Sequence, residues 1–160
     1  WLDLFRRLTP ESYDYMAASL VDFGDCRHYW PHWSRFEAPV PQDSFVRAHN
    51  ALMYLSRRAA HHLGEYTGSA KHMYKGHYEV LIPTALKQCG HKIRDIGGYS
   101  KYTPREDWGQ HYRNLVGTGL PCTEHSTFSA FGNFFTAEQE DGLLYHPVKV
   151  PKHLEQEYAL

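Results

Sequence analysis

Several things are scarce in this 160-residue chain, and each scarcity removes a class of protein. There are three cysteines, Cys26, Cys89 and Cys122. The number is odd and no pair has CxxC spacing, so neither a disulfide framework nor a cysteine-based zinc site is expected. Buried free thiols are the simplest expectation, given the burial preference of cysteine. No run of about 18 apolar residues exists, so no segment reads as a membrane-spanning helix. The net charge is −1, with 17 basic and 18 acidic residues. With no basic stripe and no lysine-rich tail, nucleic acid is not an expected partner. No HExxH, signal peptide, internal repeat or low-complexity tract appears.

What is present is a length fit for one domain with a substantial core, twelve histidines, and an aromatic content of 15%. Many aromatics stand beside polar residues, which suits a wet cleft better than a plain helical bundle. "TPES" offers Thr9 as a cap and Pro10 as a first helical residue. "MAASLVDFGD" reads as a strand stopped by Asp22, Gly24 and Asp25. "CRHYWPHWSRFEAPVPQ" reads as an irregular surface loop. In "DSFVRAHNALMYLSRRAAHHLGEY", Phe45, Ala48, Leu52, Leu55, Ala59 and Leu63 recur at helical spacing. This predicts one long helix over residues 44–63, capped by Asp43 or Ser44 and stopped by Gly64. A second helix containing "VLIPTALKQCG" ends at Gly90. "HKIRDIGGYS" is a short strand running into a glycine turn. Residues 101–135 read as long loops, and "GLLYHPVKVP" as a late extended segment. The order predicts an α/β domain with few, short strands.

The stretch "GHYEVLIPTAL" carries the most chemistry. Pro83 has no N–H, so the helix either starts near it or bends there. Glu79 therefore lies in or just before the first turn, where the helix dipole favours a carboxylate. A carboxylate at a helix mouth either caps the helix or takes a proton from a substrate hydroxyl. His77 sits beside it. His146, in "LYHPVK", is an imidazole on an extended segment, either a metal ligand or an ordinary half-buried histidine. His28, His32, His61 and His62 have no spacing that makes a ligand set. Trp30 and Trp33, with Phe36, His32 and Arg35, form either an aromatic platform for sugar rings or a small core under the loop. Arg57 and Arg58 could reach a phosphate or carboxylate, or stay solvated. Asp95, Gly97 and Gly98 form a turn.

Taken in order, "GHYEVLIPTAL", "IRDIGGYSKYTP" and "LLYHPVK" resemble a set of uncharacterised glycosyltransferases of the GT-A, nucleotide-sugar type. The resemblance runs from about residue 14 to residue 149. It implies the C-terminal, acceptor-side part of that α/β fold, with residues 1–160 as one domain of a larger enzyme whose DxD-bearing half lies upstream. It implies a nucleotide-sugar donor, a carbohydrate acceptor, and Mn²⁺ or Mg²⁺ on the donor diphosphate. Glu79 would be the base and His146 a metal ligand. Asp22, Trp30, Trp33, Arg57 and His77 would contact substrate. A different class of protein, a carbohydrate-binding module, would need only the Trp30/Trp33 loop. A metal-dependent hydrolase would need three converging ligands, which the spacing does not offer.

Overall fold

The computed structural model describes residues 6–7, 12–26, 31–69, 74–113, 141 and 143–145. The elements are β1 (Tyr15–Asp22), a one-turn α1 (Phe23–Cys26), β2 (Val46–Leu55), α2 (Arg57–Ser69), α3 (Tyr78–Gln88) and β3 (Ile93–Asp95). Short 3₁₀ turns cover Pro31–Arg35, Gln42–Ser44 and Arg105–Asp107. The three strands form one mixed sheet in the order β2-β1-β3, with β1 antiparallel to β2 and parallel to β3. The architecture is a small α/β fold, as the sequence order predicts.

β1 is the central strand and is buried along almost its whole length. Its side chains alternate between the faces, as a pleated strand requires. Tyr15 and Ala17 join Val46, Ala48, Ala59 and Leu86 on the face covered by the helices, while Met16 and Ala18 join Ile96 and Tyr112 on the other. Leu20 breaks the parity and returns to the helix face. The cause is a bulge. The β1–β2 register shifts on either side of Ala18, and Ser19 takes a φ of 55°.

The backbone groups freed at the bulge are satisfied from the turn after β3. Ser19 N–H donates to the Tyr112 hydroxyl (2.7 Å) and Leu20 N–H to Asp95 Oδ2 (2.9 Å). Asp95 Oδ1 also accepts from the N–H groups of Gly97 (3.0 Å) and Gly98 (2.8 Å), and the Tyr112 hydroxyl lies 2.7 Å from both carboxylate oxygens. A Cβ on Gly98 would fall 2.2 Å from the Tyr112 ring, so the glycine makes room for that phenol. The turn at Asp95, Gly97 and Gly98 is thus geometric, as expected.

The expected helix over residues 44–63 is half wrong. Its first part is β2, an edge strand, and its second part opens α2. The fully buried β1 needs a partner on each side, and that pairing overrides the apparent helical spacing of Phe45, Ala48, Leu52 and Leu55. Asp43 and Ser44 belong to a 3₁₀ turn instead of a helix cap. The cap is Ser56, whose Oγ accepts from Ala59 N–H at 3.1 Å. Gly64 does not stop the helix, which continues to Ser69.

The start of α2 is tied to the rest by Asp14. Its carboxylate accepts from Ser56 Oγ (3.0 Å), Arg58 Nε (3.2 Å), Arg58 Nη2 (2.5 Å) and Lys92 N–H (3.1 Å). Arg58 is therefore a structural partner. Cys89 is exposed, not buried as expected of the thiols. The Thr9/Pro10 turn, the side chains of Cys26 and Cys122, residues 114–135 and most of "GLLYHPVKVP" lie outside the described residues.

α3 lies along the outer edge of β2, where backbone groups would otherwise lack partners. Thr84 Oγ1 accepts from Val46 N–H and donates to Val46 C=O, both at 3.0 Å. About one and a half turns toward the helix start, the Glu79 carboxylate accepts from Asn50 N–H. Val46 and Asn50 share strand parity, so both N–H groups point to this edge. The helix covers the edge with two polar side chains, and the second belongs to the candidate site.

Candidate functional site at the mouth of helix α3

The motif "GHYE" builds the mouth one residue at a time. Gly76 has a φ of 124°, and a Cβ there would lie 2.1 Å from the Arg35 carbonyl oxygen. Only glycine lets the chain pass so close to the 31–36 turn. A two-residue bridge next to it, Glu37 N–H to Lys75 C=O and Lys75 N–H to Glu37 C=O at 2.9 Å each, stitches the same loops together. His77 is the N-cap, and its Nδ1 accepts from Glu79 N–H at 3.4 Å. A neutral His77 bonded in this way carries its proton on Nε2. Tyr78 is the first helical residue and stands 54% exposed. Glu79 follows, turned inward and only 8% exposed. Pro83 lies inside α3 without ending it. The bond it cannot make is the one to the Glu79 carbonyl, so the helix lacks a rung at the site itself.

Around the carboxylate, His49 Nδ1 lies 3.3 Å from Oε1 and His77 Nδ1 lies 3.7 Å from Oε2. Arg47 is buried nearby and acts on the carboxylate through space. Asn50 ties the floor together: its Nδ2 donates to the Tyr78 carbonyl (3.4 Å), and its Oδ1 accepts from the Tyr15 hydroxyl. The His32 ring stacks on His77 with centroids 4.5 Å apart and planes 17° from parallel, and Tyr78 stacks on His77 at 4.9 Å and 23°.

Burial raises the proton affinity of Glu79, against the opposing pull of Arg47, the Asn50 N–H and His32. Burial lowers the pKa of His77, helped by Arg35, and that of His32, helped by His77 and Arg35 against Glu79. The mouth therefore holds a carboxylate that binds a proton more readily than a surface glutamate, beside two imidazoles biased toward neutrality. Carboxylates perturbed in this way concentrate at sites of proton transfer.

Of the residues singled out from sequence, Glu79 and His77 come together here. Asp22 does not join them. It pairs with Lys87 (3.4 Å) and Lys101 and accepts from the Tyr102 hydroxyl, at the far end of α3. Glu79 and Lys87 are separated by eight helical residues, about 12 Å of rise. Trp33 is 3% exposed, packed edge-on against Phe23 with centroids 5.3 Å apart, so it is core and presents no open ring face. Arg57 is exposed at the start of α2. Trp30 and His146 lie outside the described residues.

Sequence reasoning missed Arg47, His49 and Asn50, because it placed them on a helix. Read as a strand, "VRAHN" sets Arg47 and His49 two apart on one side, which was the available signal. It also passed over Tyr78. Among the described residues no group of three or more histidine, cysteine, aspartate or glutamate side chains is placed to hold a metal ion. His146, the expected ligand of Mn²⁺ or Mg²⁺ on the donor diphosphate, lies outside the described residues. No described helix is long and apolar enough to cross a membrane. Comparisons of the chain with family models, curated proteins and solved structures give no match.

Proposed function

We propose that the chain is the acceptor-side part of a GT-A-type glycosyltransferase and that the mouth of α3 receives the acceptor hydroxyl. The observation that carries this reading is the inward-turned Glu79, raised in proton affinity and flanked by imidazoles at the start of a helix. The motif order quoted above supports it.

In the proposed reaction the acceptor oxygen attacks the anomeric carbon of a nucleotide-sugar. The bond from that carbon to the diphosphate breaks, and its electron pair leaves with the diphosphate. The acceptor O–H becomes acidic as the new C–O bond forms, and Glu79 takes the proton. The raised pKa makes Glu79 a stronger base than an exposed glutamate. The Asn50 N–H, and the helix mouth to which Glu79 belongs, hold the carboxylate in one position as the proton arrives. No step here passes through a metal ion. The rival reading, a non-catalytic carbohydrate-binding module, loses one of its two aromatic rings, since Trp33 is buried.

The test is sugar transfer from a panel of UDP-, GDP- and CMP-linked sugars to a glycan array, by the full-length protein and its Glu79→Gln variant. Gln keeps an acceptor for the Asn50 N–H and removes the base. Turnover is expected to fall by about 10²-fold or more while the fold is retained. Unchanged turnover ends the assignment.

A further inference from the structure

Beside Glu79 the structure holds a feature that the proposed proton transfer does not use. His32, His77 and Tyr78 form a row of three near-parallel rings. Two of them are biased toward the neutral form by burial and by Arg35, and so stay stackable near neutral pH. The row ends at Tyr78, which is 54% exposed and among the few large hydrophobic side chains left open among the described residues. A tyrosine at the first position of a helix normally has many rotamers to choose from. Here its ring is held by His77, and His77 is held by the N-cap bond and by His32. Ordering an exposed aromatic ring costs side-chain entropy, and here that cost is met before any ligand arrives.

We infer that Tyr78 is a stacking platform for a pyranose that presents a continuous face of C–H groups. Such a face carries slight positive charge and packs on the negative face of an aromatic ring, while the hydroxyls at its rim reach polar neighbours. Glu79, next in sequence, meets the edge of the same ring row through His77, 3.7 Å away. A sugar held on Tyr78 lies at the same helix mouth as that carboxylate. This inference rests on the reading of the mouth as a carbohydrate acceptor site, and it names the acceptor class: a pyranoside with an apolar face, as in β-galactosides and β-glucosides. It also moves the aromatic platform from the tryptophan loop to the helix mouth.

The experiment is saturation-transfer NMR on the full-length protein, with methyl β-D-galactopyranoside and methyl β-D-glucopyranoside as probes and D-sorbitol as a polyol without a rigid face. Saturation is expected at the ring C–H protons of the glycosides and not on sorbitol. Tyr78→Phe should keep the affinity, and Tyr78→Ala should weaken it about fivefold or more. Because Tyr78 is exposed, both variants should fold, which circular dichroism checks. Equal binding by wild type and Tyr78→Ala overturns the platform, as does a Phe variant as weak as the Ala variant. If binding ignores Tyr78 but Glu79→Gln still abolishes turnover, the platform falls and the acid–base reading stands. Glycosides that fail to bind the wild type also overturn the platform, and the turnover assay then decides Glu79 alone.

Discussion

Replacing Asp14 by asparagine tests the network that ties the start of α2 to the rest of the fold. Asp14 is buried and accepts from Ser56, Lys92 and both ends of the Arg58 fork. Burial alone would raise its pKa. The Arg58 bond, the Lys92 N–H, Ser56 and His91 outweigh burial and hold it well below the usual carboxylate range. The sign of the linkage follows. A depressed folded-state pKa means that the ionised form stabilises the fold fully above an unfolded pKa of about 3.9. That stability is lost progressively as pH falls from about 5 toward the folded-state value.

Asparagine keeps the shape but loses the charge, and its NH₂ end must face two of the four donors. The expected cost at pH 7 is about 3 kcal/mol, the scale for breaking a buried charge-assisted network. Arg58→Ala should cost much less, because that side chain is 66% exposed and its ion pair is screened by solvent. Urea unfolding followed by tryptophan fluorescence at pH 7, 5 and 3 measures both. The gap between wild type and Asp14→Asn should shrink steadily toward pH 3. A gap that does not change with pH would refute the account, as would an Arg58→Ala cost equal to that of Asp14→Asn.

Thr84→Val should destabilise by about 1–3 kcal/mol, since it leaves the buried N–H of Val46 and half the bonding of its C=O unmade; thermal unfolding reads this directly. Gly76→Ala should cost at least about 2 kcal/mol and shift the His77 ring resonances, because the new Cβ meets the Arg35 carbonyl in a backbone conformation alanine avoids. Glu79→Gln should leave stability at pH 7 unchanged or higher. A raised folded pKa means the ionised glutamate disfavours the fold above that pKa, so the variant's advantage should fade as pH falls through the raised folded value and be gone below the unfolded value of about 4.3.

β1, the 93–95 strand and its glycine turn, and the helix at "YEVLIPTALKQ" were all legible in the sequence. Each carries its signal locally, as an apolar run with clear stop residues or as a turn dipeptide. β2 was not legible, because Phe45, Ala48, Leu52 and Leu55 recur at three- and four-residue spacing, the signal of a helix. What overrides that signal is the demand of β1 for a second neighbour, and that is a non-local fact. The error spread to the site: Arg47, His49 and Asn50 reach Glu79 only from a strand. Trp33 misled in the opposite way. A proline-rich loop looks exposed in sequence, yet the Gly76 close approach pins this one onto the core, and its tryptophan becomes filling.

Three buried carboxylates, Asp14, Asp95 and Glu79, show how burial alone fails to mark chemistry. Asp14 is lowered in pKa by the groups that bind it, so its charge stabilises the fold. Asp95 is raised by burial, but it is wholly enclosed, and Tyr112 with three backbone N–H groups occupies both of its oxygens. A substrate proton has no route to it. Glu79 is also raised by burial, yet it stands at a helix mouth, one residue from an exposed ring and within 4 Å of two imidazoles. It combines proton affinity with a path to solvent, which neither of the others does. The raised pKa is a cost that the fold sustains at this position, and sustained cost at a surface opening is what a working acid–base group requires.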